Sequence, residues 1–173
     1  MKLLSPISSK QQMQVLEKTE SYIQMAAAIF KRTIVSIPVY FDLKGRAAGM
    51  YISEHKHHYI RYNPYIFAKY FDDNLLTTVP HEVAHYISDV IYGLNHIKPH
   101  GAEWKNIMHL FGAEPNITSD YDLTGIPVRK LQRFEYQCGC TTHQLSAIRH
   151  NKIMRGKMSY RCRYCGSPVV FCE

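Results

Sequence analysis

All five cysteines of this 173-residue chain, Cys138, Cys140, Cys162, Cys165 and Cys172, lie beyond residue 137. That crowding constrains the fold more than any other feature. The segment that carries them, residues 129–173, is too short to bury the apolar surface that would hold it folded, so it needs a disulfide or metal staple. The same segment carries the chain's charge. Residues 1–128 hold 12 basic and 12 acidic side chains, whereas residues 129–173 hold 9 basic and 2 acidic, which accounts for the whole net charge of +7. Two domains are expected: a neutral body, residues 1–128, and a basic tail, residues 129–173.

Compartment decides between the staples. Leu3 and Leu4 form only a short apolar patch before Ser5 and Pro6, too little for a signal-peptide core. No run approaches the roughly 18 apolar residues of a membrane span. A cytoplasmic protein with no membrane partner is expected, and disulfides are rare in that compartment. An odd cysteine count would also leave one thiol over in any disulfide framework. Metal is the better reading. Cys162-Arg163-Tyr164-Cys165-Gly166 has the form of a zinc knuckle, two thiolates three apart at a turn closed by glycine. Its partner pair, Cys138-Gly139-Cys140, has one intervening residue instead of two, and a knuckle of ordinary spacing could instead use Cys140 and His143. Short aromatic strands at 134–137 and 159–161 precede the two pairs, as in a small β zinc ribbon. Cys172 is read as a spectator thiol. Arg149, Lys152, Arg155, Lys157, Arg161 and Arg163 form either a solvated face or a set of phosphate contacts to nucleic acid, with Phe134, Tyr136 or Tyr160 available to stack on exposed bases.

The body reads as α+β. Ser9 and Gln12 fit a capping box at the head of a helix that ends near Lys31 or Arg32. Stretches 39–42, 48–53 and 59–62 are rich in β-formers and predict a small antiparallel sheet. A short helix is expected over 65–70, a longer one over 74–93 in which Pro80 either kinks the helix or supplies its first turn, and another over 102–111. The polar run 115–125 reads as a linker.

Within the longer helix lies His81-Glu82-Val83-Ala84-His85. Four residues along a helix turn through 400°, so His81 and His85 differ by about 40° in direction and about 6 Å in height, and both imidazoles can close on one metal ion. Glu82 projects about 100° away, where it misses the metal but can reach a water beside it and act as general base. A catalytic zinc needs a third protein ligand and an open position. The metzincin spacing is excluded, because it would put that ligand at Ile91 and a glycine at Ser88. Glu103, His96 and His100 are the candidates. His100 is preferred, since His100-Gly101 directly precedes the helix that carries Trp104. His109 is assigned to the surface, and His55, His57 and His58 to a solvated hairpin tip.

Three blocks taken in order carry a resemblance: Val79-Pro80-His81-Glu82-Val83-Ala84-His85, His100-Gly101-Ala102-Glu103-Trp104, and Tyr136-Gln137-Cys138-Gly139-Cys140 with Tyr160-Arg161-Cys162-Arg163-Tyr164-Cys165-Gly166. The chain resembles the SprT family of zinc metalloprotease-like proteins, whose wider relatives include the Spartan DNA-dependent proteases. That resemblance implies a zincin-like metalloprotease domain followed by a zinc ribbon. It implies one catalytic Zn²⁺ on His81, His85 and His100 with Glu82 as catalytic residue, and one structural Zn²⁺ on Cys138, Cys140, Cys162 and Cys165. It also implies DNA as a partner and protein substrates such as DNA–protein crosslinks. No organic cofactor is expected. The competing expectation is a non-catalytic nucleic-acid-binding protein in which the helical zinc site is structural and a further ligand, Glu103 or His96, closes the shell.

Overall fold

The structure is a computed structural model describing residues 4–54, 57–117, 120–127 and 132–172. The chain divides into two compact units, Met1–Val128 and Arg129–Glu173. Val128 and Arg129, at the expected boundary, and His55 of the histidine cluster lie outside the described residues.

In the first unit, α1 (Ser9–Phe30) is capped one residue earlier than expected. Ser8 accepts from the Gln11 amide at 3.3 Å, and the Gln11 side chain accepts from the Ser8 amide at 3.0 Å. Paired Ser and Gln at 8–9 and 11–12 allow either register. The register adopted turns Val15, Thr19, Tyr22, Ile23 and Ala26 inward.

Strands β1 (Val39–Tyr40), β2 (Gly49–Glu54) and β3 (His57–Tyr62) form a sheet in the order β1-β3-β2. The β2–β3 hairpin is antiparallel, from Gly49 opposite Tyr62 to Glu54 opposite His57. Contrary to the expected all-antiparallel sheet, β1 runs parallel to β3. Residues 41–48 carry the chain across the sheet end before β2 begins. That return is clasped by Leu43 N–H donating to the Tyr62 carbonyl at 3.2 Å and Asn63 N–H donating to the Ala48 carbonyl at 2.8 Å.

Next come α2 (Pro64–Lys69), α3 (Phe71–Leu76), α4 (Thr78–Tyr92) and α5 (Ala102–Leu110). The helix expected over 74–93 is therefore two helices, separated at Thr77. Pro80 has no N–H to give the Leu76 carbonyl four residues back, so α3 cannot run on, and the proline sits harmlessly in the first turn of α4. Helix α4 is central: Val79, Val83, Ala84, Tyr86 and Ile87 are buried against α1, the sheet and Trp104 of α5. The expected linker at 115–125 is, over its described residues, attached to the body. Lys69 Nζ donates to the Asp122 backbone carbonyl and carboxylate, each at 2.8 Å, and Tyr121 stacks on Tyr70 with centroids 4.4 Å apart.

In the second unit, β4 (Arg133–Gln137) is the middle strand of β5-β4-β6, with β5 at Thr142–Ser146 and β6 at Val170–Phe171. The strand expected at 159–161 is absent among the described residues. Arg161 makes only an isolated bridge to Pro168. A helix the ribbon reading did not include, α6 (Ala147–Met154), follows β5. His150 of α6 stacks on Phe134 at 3.6 Å and accepts or donates at Nδ1 with the Tyr136 hydroxyl at 3.1 Å, so α6 covers one face of the small sheet. Among the described residues, no helix is long and apolar enough to cross a membrane.

Candidate metal centres

Because α4 presents its Val and Ile face to the core, His81 and His85 are left one turn apart on the adjoining stripe, each half-buried. His100 arrives from the segment after α4, immediately before α5. Its φ of 56° lies in the left-handed region, which a side chain with a Cβ enters at a cost of about 1 kcal/mol or more. The next residue has to be glycine for a different reason: a Cβ on Gly101 would sit 2.9 Å from the Lys98 carbonyl oxygen.

The three imidazoles meet through Nε2, at 3.2 Å for His81–His85, 3.0 Å for His85–His100 and 3.1 Å for His81–His100. One ring nitrogen carries a single in-plane hydrogen or lone pair and cannot aim at two partners. Three in-plane lone pairs aimed at one point can make this triangle. Tetrahedral zinc with Zn–N bonds of about 2.0–2.1 Å would hold its nitrogens about 3.3 Å apart, so the donor set fits that ion. Burial, followed by the neighbouring imidazoles, holds His81 down to about 4 and His85 down to about 3, and burial lowers His100 as well. All three are in the lone-pair form that binds metal at neutral pH.

Trp104 supports the cluster from α5. Its Nε1–H donates to the His81 carbonyl at 3.2 Å, and its ring lies 4.7, 5.6 and 4.7 Å from the rings of His81, His85 and His100.

Glu82 is only 6% exposed. Its Oε2 accepts the Tyr51 amide of β2 at 2.7 Å. Burial pushes its carboxyl up to about 8, against the pull of that amide. The side chain fits beside β2 because residue 49 has no Cβ: one built there would lie 2.6 Å from Glu82 Cγ and 2.8 Å from Thr78 Cγ2. His81, Glu82, His85 and His100 line a cleft of about 350 Å³ together with Gly49, Tyr51, Ser53 and Leu94. One wall is β2, an edge strand of its sheet. A larger groove of about 700 Å³ against β1 and β3 contains none of these four residues.

In the second unit the sulfurs of Cys138, Cys140, Cys162 and Cys165 form the other group that could hold a metal. They are separated by 3.5 Å (138–140), 3.7 Å (140–162) and 3.7 Å (165–138). A tetrahedral ZnS₄ centre with bonds of about 2.3 Å needs about 3.8 Å. The one-residue spacing of Cys138 and Cys140 is thus compatible with both sulfurs facing one ion. His143 is outside the four, with Nε2 at 3.3 Å from Cys138 Sγ. Cys172 is also outside, and its amide donates to the Glu135 carbonyl.

Arg149, Lys152, Arg155, Lys157, Arg161 and Arg163 are all exposed, the first three on or at the end of α6. The aromatic residues expected to stack on bases are differently placed. Tyr136 is fully buried, Phe134 is covered by His150, and Tyr160 has the Arg149 guanidinium 5.6 Å above its ring. Tyr164, between the knuckle cysteines, is 89% exposed.

Sequence reasoning missed Gly49 and Tyr51, and it read Trp104 only as core. An isolated glycine at the head of a strand was a usable signal of close backbone approach. The Tyr51 backbone donor carries no side-chain signature. His58, assigned to a solvated tip, is half-buried and lies 2.7 Å from the Tyr51 hydroxyl through Nδ1, whereas His57 is exposed.

Comparison with known proteins adds an independent line. The model of the SprT-like family matches residues 19–129. A protein named SprT from Shewanella oneidensis is 37% identical over 161 residues, 92% of this chain and 98% of the relative. SprT proteins from Vibrio parahaemolyticus and Pseudomonas syringae pv. syringae are 37% and 36% identical over 151 and 162 residues, covering 86% and 91% of this chain and 87% and 94% of theirs.

Proposed function

Since the chain belongs to the SprT-like family, we propose that it is a zincin-like zinc metalloendopeptidase with a zinc-ribbon tail, and that His81, His85 and His100 hold its catalytic zinc. The observation that carries this reading is the convergence of three imidazole nitrogens within 3.2 Å of one another beside a buried Glu82. Zinc bound there supplies a Lewis acid for a peptide carbonyl and acidity for the attacking water.

The chain's own residues do the rest. Glu82 takes the water proton on a carboxylate oxygen and returns it to the leaving amine. Its apolar setting keeps the carboxylate basic enough for that task, and a dication nearby keeps it ionised at neutral pH. The Tyr51 amide fixes one carboxylate oxygen at 2.7 Å and leaves the other for the proton. An extended substrate segment lies along β2, whose edge position leaves backbone groups free to pair with it.

Cys138, Cys140, Cys162 and Cys165 hold a structural zinc, and the cations of α6 and the second knuckle hold nucleic-acid phosphates. Proteins attached to DNA, such as DNA–protein crosslinks, are then the substrates brought to the enzyme, with Tyr164 the aromatic side chain free to meet a base. The non-catalytic alternative requires another protein donor on the histidine site. Among the described residues neither His96 nor Glu103 is grouped with the three imidazoles.

Replacing Glu82 by Gln tests the reading. Cleavage of a basic protein bound to DNA is expected to fall at least about 100-fold, the usual contribution of a general base, with zinc content unchanged. Undiminished cleavage by the Gln variant contradicts the mechanism.

A further inference from the structure

Asp89 lies one turn beyond His85 on the stripe of α4 that carries His81 and His85. It is nearly buried, at 13% side-chain exposure, and both its oxygens are engaged. Oδ2 accepts the Tyr51 hydroxyl at 2.6 Å, and Oδ1 accepts the Leu94 amide at 3.3 Å. His58 completes the group, with Nδ1 2.7 Å from the Tyr51 oxygen and 3.5 Å from Asp89 Oδ2. Burial, with Asp89 second, raises the Tyr51 pKa, so the phenol keeps its proton and donates a hydrogen bond to Asp89. The Tyr51 oxygen is then an acceptor for His58 Nδ1–H.

Two consequences meet at this carboxylate. Tyr51 is the residue whose amide holds Glu82 Oε2, so its phenol anchors to α4 the stretch of β2 that aims the general base. Leu94 opens the segment that runs from the end of α4 to His100, so Asp89 also ties down the start of the segment bringing the third imidazole. Tyr86 packs on both rings, 5.9 Å from Tyr51 and 5.9 Å from His58, and its own hydroxyl is fixed on the Val35 carbonyl at 2.8 Å. The group thus has few alternative arrangements.

We propose that Asp89, Tyr51 and His58 form a positioning network that sets the orientation of Glu82 and the reach of His100. The three side chains act through Glu82 and His100 as positioning groups. The network rests on the peptidase reading for its kinetic consequence and is independent of that reading for its effect on the metal site and on β2.

Tyr51→Phe removes one hydroxyl and keeps the ring and the amide. In the full-length zinc-loaded protein it is expected to lower kcat about tenfold on a DNA-bound basic protein while KM stays within twofold, a split that general loosening of the fold would not produce. Asp89→Leu should weaken zinc binding at the histidine site about tenfold, within the range seen for supporting residues around metal ligands. Asp89→Asn, which keeps an acceptor oxygen, should recover most of that loss. Amide exchange at residue 51, followed by NMR without any turnover, should quicken at least fivefold in Tyr51→Phe, and circular dichroism checks that each variant is folded. An inactive wild type would sink the peptidase reading alone, since zinc affinity and amide exchange still judge the network. Unchanged Tyr51 exchange together with unchanged zinc affinity in Asp89→Leu would overturn the network. If Asp89→Leu does not fold, Tyr51→Phe decides alone: wild-type exchange at residue 51 overturns the proposal.

Discussion

Glu82 and its histidine neighbours are ionisable groups held in partly apolar surroundings, and their protonation without metal has a definite direction. His81 and His85 titrate at about 4 and about 3 in place of the usual 6.5, so their contribution to stability is complete above 6.5 and is lost as pH falls toward 4 and 3. Glu82 titrates at about 8 in place of 4.5, so its contribution is complete below 4.5 and is lost as pH rises through 8. Between 4.5 and 6.5 the two histidines outweigh the one carboxyl, and above 6.5 the carboxyl is the one of these three groups that still acts. The unfolding midpoint of the first unit in the metal-free full-length chain should therefore peak near pH 6.5 and decline toward both pH 4.5 and pH 8.5. A midpoint that rises steadily over that interval would show that Glu82 is not protonated in the metal-free fold. Gly49 makes a second residue-level prediction. Gly49→Ala places a methyl 2.6 Å from Glu82 Cγ, and the resulting overpacking should cost about 1–3 kcal/mol and displace the carboxylate. Denaturant unfolding measures the first effect and kcat the second, and a variant with wild-type values for both would contradict the close approach.

Among the elements, the short segment around Asn63 ties the sheet to α2. Its side-chain oxygen caps α2 by accepting from the Tyr65 and Ile66 amides at 3.1 and 3.3 Å, and its Nδ2 donates to the Gly45 carbonyl at 3.2 Å. The residue is fully buried. Asn63→Ala removes the cap and leaves the Gly45 carbonyl without that donor, so a loss of about 2 kcal/mol is expected from chemical denaturation. A change below about 0.5 kcal/mol would mean that solvent replaces these bonds. Helices were the most legible elements in the sequence, since 3.6-residue periodicity survives in α1, α4 and α5 and a capping box opens α1. The pair His81 and His85 was legible for the same reason. The parallel pairing of β1 was not, because strand direction depends on the path of residues 41–48, whose mixed composition with one glycine, Gly45, fits many routes. Helix α6 was missed because its residues were read for charge, although Ala147, Ile148 and Met154 are compatible with helix. Hydrogen bonds made through backbone amides, such as Tyr51 to Glu82, leave no trace in residue types at all.

For the whole molecule, the division of charge gives each unit a separate task in the proposed function. Four thiolates on one Zn²⁺ would add −2, leaving the tail about +5, still the only strongly charged part of the chain. Each cation paired with a duplex phosphate contributes about −0.9 to the slope of log affinity against log salt. Replacing Arg149, Lys152 and Arg155 together by Gln should flatten that slope by about 2–3, and an unchanged slope would remove α6 from the nucleic-acid surface. The account as a whole stands on metal, since two groups of donors separated along the chain each converge at distances that suit zinc. The most direct test is therefore the zinc content of the purified full-length chain and of His85→Ala, measured beside cleavage of a DNA-bound basic protein. Two zinc ions in the wild type, one in His85→Ala and cleavage lost with the missing ion are predicted; a single zinc in the wild type, or cleavage that survives in His85→Ala, would contradict the account.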